Sequence, residues 1–250
     1  MRTTTEHIDI PAPDGTADAV LSRPAGGTGP GVLLYMDAFG LRPRIEEMTA
    51  RIAAEGYVVL APNVFYRSRR SPLVDPDDLA DPEGRSRVFE VLRPFMKELT
   101  PERAVRDAAA YLGFLQQEAA PGPVGVTGYC MGGGLALRTA GHYPERVAAA
   151  ASFHGGNLAT DADDSPHLLA DRIKGEVYVG HADNDRSMPP EQMERLEAAM
   201  QEAGVAFRAE LYEGAAHGFT MADTAAFDEA ATERHWQRLF ALLARALTQL

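Results

Sequence analysis

The only cysteine of the chain stands at the centre of a glycine-bracketed segment, GYCMG, at residues 128–132. The apolar stretch before it predicts a buried strand that ends at Thr127, and the residues after it predict a helix. Glycines two residues to either side allow a sharp strand–turn–helix elbow, because larger side chains would collide with the neighbouring strand and helix. Such a turn raises the sulfur above the sheet at a positive helix N-terminus, which stabilises a thiolate. We therefore predict that Cys130 is a nucleophile.

Two other glycine-rich motifs explain this segment less well. A dinucleotide-binding fingerprint is expected near the start of its domain, whereas this strand begins past the middle of the chain. A phosphate-binding P-loop has Lys and then Ser or Thr after its glycines, and here Leu135 and Ala136 follow. A small, buried structural cysteine is the remaining alternative. The combination of strand, glycines and helix favours the elbow.

A nucleophile on such an elbow has its partners later in the chain, first an acid and then a histidine. The acid is expected in HADNDRSMP, residues 181–189, where Asp185 is preferred and Asp183 is the alternative. After the next predicted strand, His217 lies between two glycines in EGAAHGF. Either aspartate alone could be a helix cap, and an isolated histidine could be structural. The order of the three residues favours a general base with its orienting acid.

Acyl transfer from a carbonyl also needs two N–H groups to stabilise the oxyanion. The elbow supplies the amide of Met131. The second donor is expected from DAFG, residues 37–40, after an early buried strand, and Ala38 is the natural donor. Asp37 would then lie beside the nucleophile, where its carboxylate could take the thiol proton or perturb the thiolate. A loop cap is the alternative role for Asp37.

Strands alternate with helices along the chain, after an opening hairpin at residues 4–10 and 17–22. Fully apolar strands are typical of a parallel sheet that is covered on both faces. The predicted strands are residues 31–36, 57–61, 123–127, 147–153, 176–180 and 207–212, and the predicted helices are 43–55, 101–117, 132–142, 190–203 and about 225–247. This alternation predicts one α/β domain over residues 1–250, with a mostly parallel, doubly wound sheet and helices on both faces.

One stretch, residues 62–99, breaks the alternation and is rich in Pro, Asp and Arg. A connection of this length between sheet strands is usually functional, so we predict an irregular, lid-like segment; a surface excursion is the alternative. Arginines could form a clamp for an anion there, although a solvated loop explains most of them. The candidates are Arg67, Arg69, Arg70, Arg85 and Arg87.

The remaining histidines and acidic residues carry weaker signals. His154 ends a predicted strand at the edge where sites gather in such sheets, so it is a candidate pocket residue. His7 and His235 are assigned to the surface. The acidic residues within 161–164 lack the glycine and distal glutamate of a calcium-binding loop. We predict neither a metal nor a cofactor.

Composition excludes several classes of protein. The 250 residues include 24 Lys and Arg against 36 Asp and Glu, a net charge of −12, which argues against a nucleic-acid partner. One cysteine excludes an internal disulfide and a four-cysteine metal site. No signal peptide or membrane-spanning apolar stretch is visible, so a cytoplasmic protein without a membrane partner is expected. The oligomeric state is not predicted.

The segments GYCMGG, ADNDRSMP, AHGF and YMDAFG together resemble the dienelactone hydrolase family, over nearly the whole chain from about residue 31. The resemblance implies an α/β-hydrolase fold and a small-molecule ester or lactone as substrate. It also implies a cysteine-dependent carboxylic ester hydrolase that forms an acyl-enzyme on Cys130, with His217 as base and Asp185 as acid. A ligand-binding or thiol-redox module on the same fold is the alternative.

The resemblance also bears on the surroundings of the nucleophile. In this family a glutamate commonly occupies the place of Asp37 and interacts with the resting cysteine. Enzymes that act on dienelactone have an arginine about one turn after the histidine, where Met221 stands here. Tyr129 and Phe219, the neighbours of the motif residues, are further candidates for the pocket.

Overall fold

The computed structural model describes residues 3–79 and 81–247. Strands and helices alternate as predicted after the opening hairpin. The strands are β1 (Thr4–Ala12), β2 (Gly15–Arg23), β3 (Gly31–Tyr35), β4 (Val58–Pro62), β5 (Val124–Tyr129), β6 (Val147–Phe153), β7 (Glu176–Ala182) and β8 (Phe207–Tyr212). The helices are α1 (Pro43–Ala54), α2 (Pro82–Glu98), α3 (Pro101–Glu118), α4 (Met131–His142), α5 (Pro190–Glu202) and α6 (Glu229–Leu247), with short 3-10 helices at Pro76–Leu79 and Pro166–Arg172.

Within the described residues the strands form one eight-stranded sheet in the order β1-β2-β4-β3-β5-β6-β7-β8. β2 is antiparallel to β1 and to β4, and the pairs from β4 to β8 are parallel. The order of strands reverses at β3, which lies between β4 and β5. A crevice forms at the carboxyl ends of the strands at such a reversal, and ligands bind there in open α/β sheets. The predicted α/β fold is confirmed.

Helices pack on both faces of the sheet so closely that two positions in the central strands have room only for glycine. Val32 of β3 pairs with Gly125 of β5, so the two residues point to the same face. A Cβ atom on Gly125 would lie 2.5 Å from Leu243 of α6. On the opposite face, a Cβ atom on Gly31 would lie 2.9 Å from Leu115 of α3. The close packing of α6 and α3 fixes the central strands that end at the crevice.

Residues 62–99 are not irregular throughout, and that part of the prediction is wrong. Their second half forms α2, whose first turn is capped by Asp81, with one carboxylate oxygen 2.9 Å from the amides of both Glu83 and Gly84. Val88 and Leu92, four residues apart, are buried on one face of the helix. The charged sequence and an internal proline, Pro94, obscured this pattern, because a proline normally interrupts a helix.

No helix in the described part of the chain combines the length and apolar character needed to cross a membrane.

Candidate active site

Cys130 lies on a strained turn between β5 and α4. Its backbone has φ 56° and ψ −122°, a conformation that non-glycine residues rarely adopt and that is often found at functional sites. A side chain on Gly128 would collide with the carbonyl of Gly132, and a side chain on Gly132 would collide with the carbonyls at the end of β3. The two glycines therefore allow the elbow geometry expected from the sequence.

Three residues from separate loops meet in one hydrogen-bonded series. Nε2 of His217 is 3.1 Å from Sγ of Cys130, and Nδ1 of His217 is 2.6 Å from Oδ2 of Asp185. Oδ1 of Asp185 accepts hydrogen bonds from the amide and hydroxyl of Ser187, at 2.8 and 2.7 Å. Asp183, the alternative acid, instead accepts from the amide of Gly214 at 2.9 Å. The geometry therefore favours Asp185 as the partner of His217.

The charges of this series support an imidazolium at neutral pH. Burial acts to lower the pKa of His217, but its hydrogen bonds to Asp185 and Cys130 outweigh burial and raise that pKa to about 10. Burial acts to raise the pKa of Asp185, but the hydrogen bonds from His217 and Ser187 lower it overall. A protonated His217 donates from both ring nitrogens, to the Asp185 carboxylate and to the Cys130 sulfur.

The two residues predicted as oxyanion donors lie beside Cys130. Met131 is the first residue of α4, and Ala38 is 4% exposed in the loop that follows β3. The amide of Phe39 in the same loop donates to Oδ1 of Asp37 at 3.1 Å. Among the described residues, neither Ala38 nor Met131 has an acceptor for its amide hydrogen. Both N–H groups therefore remain available to a substrate oxygen.

A cavity of about 350 Å³ opens onto Cys130 and His217. The loop after β3 contributes Ala38 and Phe39, and the loop after His217 contributes Met221. The remaining wall is a face of α2, with Arg85, Ser86, Phe89 and Glu90. The second half of the predicted lid-like segment therefore lies against the site as a helix.

The candidate arginines of residues 62–99 have different surroundings. Arg67 donates to Asp14 and Asp107, and Arg70 donates to Asp9. Arg69 and Arg87 lie along a separate groove on the segment. Of the five candidates only Arg85 lines the cavity, and no ion pair to it is found in residues 3–79 and 81–247. Arg85 is therefore the candidate that is placed to bind a substrate anion.

His154 lies at the cavity beside Cys130, with a left-handed φ of 41°. Its Nδ1 accepts from the amide of Cys130 at 3.2 Å, so its protonated Nε2 donates to the hydroxyl of Thr220 at 2.8 Å. Burial, together with His217 and His235, lowers the pKa of His154 well below its ordinary value. A neutral His154 is therefore packed edge-on against the ring of His217, at 5.3 Å between ring centroids.

The cavity lining does not include Tyr129 or Phe219, the two residues proposed from the sequence as pocket or thiol-modulating candidates. Tyr129 is fully buried, and its hydroxyl lies 2.9 Å from Nε2 of His235. Phe219 is also fully buried and stacks on Tyr212. The prediction that His235 lies on the surface is wrong, because it occupies the inner face of α6. These rings support the site from behind.

Several residues around the site were missed by the sequence analysis. Ser187 donates to Asp185 and lies two residues after it within the same motif, so its position was the available signal. Thr220 bonds to His154 and had no distinguishing pattern. Arg42 and Asp223 also lie near the predicted oxyanion loop, where Arg42 holds the Asp37 carboxylate with hydrogen bonds of 2.7 and 2.9 Å. Local sequence does not reveal such partners.

Comparisons with known proteins relate the whole chain to one family. The sequence profile of the dienelactone hydrolase family matches residues 17–247. A relative from Synechocystis sp., provisionally named a carboxymethylenebutenolidase, is 28% identical over 241 residues, which cover 94% of each chain. A structure from Klebsiella pneumoniae, provisionally named a dienelactone hydrolase, has a TM-score of 0.83 at 23% identity and covers 98% of this chain and 100% of that one. A dienelactone hydrolase-like promiscuous phosphotriesterase from metagenomic libraries has a TM-score of 0.78 at 24% identity, with 99% and 100% coverage.

Proposed function

The chain belongs to the dienelactone hydrolase family of hydrolases, and from that premise we propose that it cleaves carboxylic esters or lactones through a thioester on Cys130. One observation carries the proposal. The hydrogen-bonded series from Asp185 through His217 to the Cys130 sulfur ends in a cavity beside two unpartnered amides. Nucleophile, base, orienting acid and oxyanion donors are the parts that acyl transfer requires.

In the acylation step, the Cys130 thiolate attacks the substrate carbonyl carbon and forms the carbon–sulfur bond. The electron pair of the carbonyl moves onto its oxygen, which accepts from the amides of Ala38 and Met131. When the tetrahedral intermediate collapses, the carbon–oxygen bond to the leaving group breaks. His217 donates its Nε2 proton to the leaving alkoxide, which stays attached to the acyl group if the substrate is a lactone.

In the deacylation step, the now neutral His217 takes a proton from a water molecule that attacks the thioester carbonyl. Collapse of the second intermediate breaks the carbon–sulfur bond and releases the carboxylic acid. Cys130 returns as a thiolate and His217 as an imidazolium. Asp185 keeps the proton-bearing Nδ1 of His217 directed away from the sulfur throughout, so Nε2 is always the reacting nitrogen.

The cavity indicates a small acyl group with an anionic substituent. Phe39, Phe89 and Met221 give it an apolar lining, while Arg85 adds a guanidinium without a carboxylate partner among the described residues. A guanidinium binds a carboxylate with two parallel hydrogen bonds. Met221 occupies the position after the histidine where the resemblance places an arginine. In this proposal α2 therefore holds the substrate anion.

Hydrolysis by the Cys130→Ala variant tests the proposal. We expect p-nitrophenyl acetate hydrolysis to fall by about 10⁴-fold or more, because alanine cannot form the acyl-enzyme. Full hydrolysis by this variant would contradict the mechanism. Binding of esters and lactones by the unmodified protein without any turnover would instead favour a ligand-binding module.

A further inference from the structure

A buried arginine connects the loop of the oxyanion donor Ala38 with the loop of His217. Arg42 immediately precedes α1 and is only 2% exposed. A guanidinium that is removed from water destabilises a fold unless its charge and its hydrogen-bond donors find partners. The groups that Arg42 binds therefore indicate its role in the structure.

Two carboxylates enclose the guanidinium. On one side, its two terminal nitrogens donate to the two oxygens of Asp37, at 2.7 and 2.9 Å. On the other side, Nε donates to Oδ2 of Asp223 at 2.5 Å and Nη2 donates to Oδ1 at 3.2 Å. Burial acts to lower the pKa of Arg42, but these two carboxylates raise it overall, so the side chain stays charged.

The bridge fixes the backbone of both loops. Arg42 also donates to the carbonyl of Gly40 at 3.1 Å, and Asp37 accepts from the amide of Phe39, so the turn that contains Ala38 is held at both ends. Asp223 lies six residues after His217, on the same loop. Arg44 adds a second link, because it donates to the carbonyl of Thr220 at 2.7 Å.

Building on the proposed function, we propose that Arg42 is a positioning residue for the oxyanion hole. With Asp37 and Asp223 it holds the amide of Ala38 in a fixed place relative to His217. Asp37 is in this account the counter-ion of Arg42 and takes no part in proton transfer with the Cys130 thiol. An oxyanion donor acts only when it is held in place before the charge develops, which gives the bridge its effect on rate.

The first experiment compares substitutions of two carboxylates, Asp223, which pairs with Arg42, and Glu233, which pairs with Arg51 of α1. Asp223→Ala removes one side of the buried bridge. Glu233→Ala is the matched control, because Glu233 accepts two hydrogen bonds of 2.8 Å from Arg51 on the exposed surface. We expect Asp223→Ala to lower kcat for p-nitrophenyl acetate by about tenfold or more with KM unchanged, and Glu233→Ala to leave kcat unchanged.

Alkylation of the thiol separates positioning of the oxyanion hole from damage to the nucleophile. Iodoacetamide reacts with a thiolate without forming an oxyanion, and the single cysteine makes the reaction report only on Cys130. We expect Asp223→Ala to keep the alkylation rate of the unmodified protein while kcat falls. An equal fall in both rates, or an unchanged kcat, would overturn the proposal.

The second experiment tests the role of Asp37 without any turnover. The ultraviolet absorbance of the thiolate is followed against pH in the unmodified protein and in Asp37→Asn, with the fold of each checked by thermal unfolding. We expect the same titration midpoint in both proteins, whereas a difference of about one pH unit or more would show that Asp37 acts on the thiol and would overturn the proposal. If the unmodified protein hydrolyses no ester, the proposed function fails, and this titration still decides the role of Asp37.

Discussion

The two walls of the cavity differ in how the fold holds them. Cys130, Asp185 and His217 lie on loops that follow β5, β7 and β8, and hydrogen bonds join them in series. Arg85 and Phe89 instead belong to α2, inside the long connection between β4 and α3. Asp185 is 8% exposed, whereas Phe89 is 41% exposed. The sheet thus fixes the groups of the proposed chemistry, and a peripheral helix supplies the groups that would select a substrate.

The largest expected effect on activity comes from a change among the residues held by the sheet, Cys130, Asp185 and His217. In Asp185→Asn the amide can donate to Nδ1 of His217, which favours the wrong tautomer and leaves Nε2 as the protonated nitrogen after acylation. We expect kcat for p-nitrophenyl acetate to fall by about 10²- to 10⁴-fold. Asp183→Asn is the matched control on the same loop, and we expect a much smaller change. A larger loss in Asp183→Asn would show that the acid is wrongly assigned.

A smaller effect, selective for charged esters, is expected from a change in α2, which forms the other wall of the cavity. Arg85→Leu should raise KM for esters with a carboxylate in the acyl group by about 10- to 100-fold, because it removes a charge-assisted hydrogen-bonded pair. Neutral esters should keep their kcat and KM. Arg87→Leu is the control, since Arg87 lies along a separate groove. Equal losses for charged and neutral esters would mean that Arg85 supports α2 and does not select the substrate.

The smallest expected effect concerns stability at acid pH. Burial lowers the pKa of His181 to about 4 and that of His235 to about 3, and it also lowers the pKa of His154. Protonation below the ordinary histidine value of about 6.5 therefore favours the unfolded chain. The contribution of these neutral histidines to the free energy of unfolding should be fully present above that pH and fall as pH decreases towards about 3, by at most about 1.4 kcal/mol per pH unit for each histidine.

Urea unfolding at a series of pH values measures this dependence. His235→Asn should show a weaker dependence than the unmodified protein, because one buried histidine is removed. His7→Asn, at a side chain that is 71% exposed, should keep the full dependence. The same slope in all three proteins would contradict the assignment of His235 as a buried neutral group.

The features that could be predicted from the sequence depend on local residue patterns and on the order of residues along the chain. The elbow was visible because its glycines stand at fixed distances from Cys130. The acid and histidine were visible because each follows an apolar strand. The role of Arg42 could not be predicted, because its partner Asp223 is 181 residues away in the sequence. No local pattern separates a buried arginine from an exposed one. The helix α2 was missed because Pro94 and its many charges hide a narrow apolar face.

The placement of histidines shows the same limit. His154 could be proposed as a pocket residue because it directly follows a strand at the carboxyl edge of the sheet, and it lies in the cavity lining. The burial of His235 could not be predicted, because it stands among charged residues in the sequence ERHWQR, which resembles an exposed helix surface. It is buried because α6 packs on the sheet, where Nδ1 of His235 donates to the carbonyl of Thr232 and the hydroxyl of Tyr129 donates to Nε2 at 2.9 Å.

Mass spectrometry of the intact protein, quenched in acid during turnover of a p-nitrophenyl ester, tests the central claim most directly. We predict a protein whose mass is increased by one acyl group, with the group located on the peptide that contains Cys130. Cys130→Ala should show no such increase. Turnover without an acyl group on Cys130, or an acyl group on another residue in both proteins, would contradict the account.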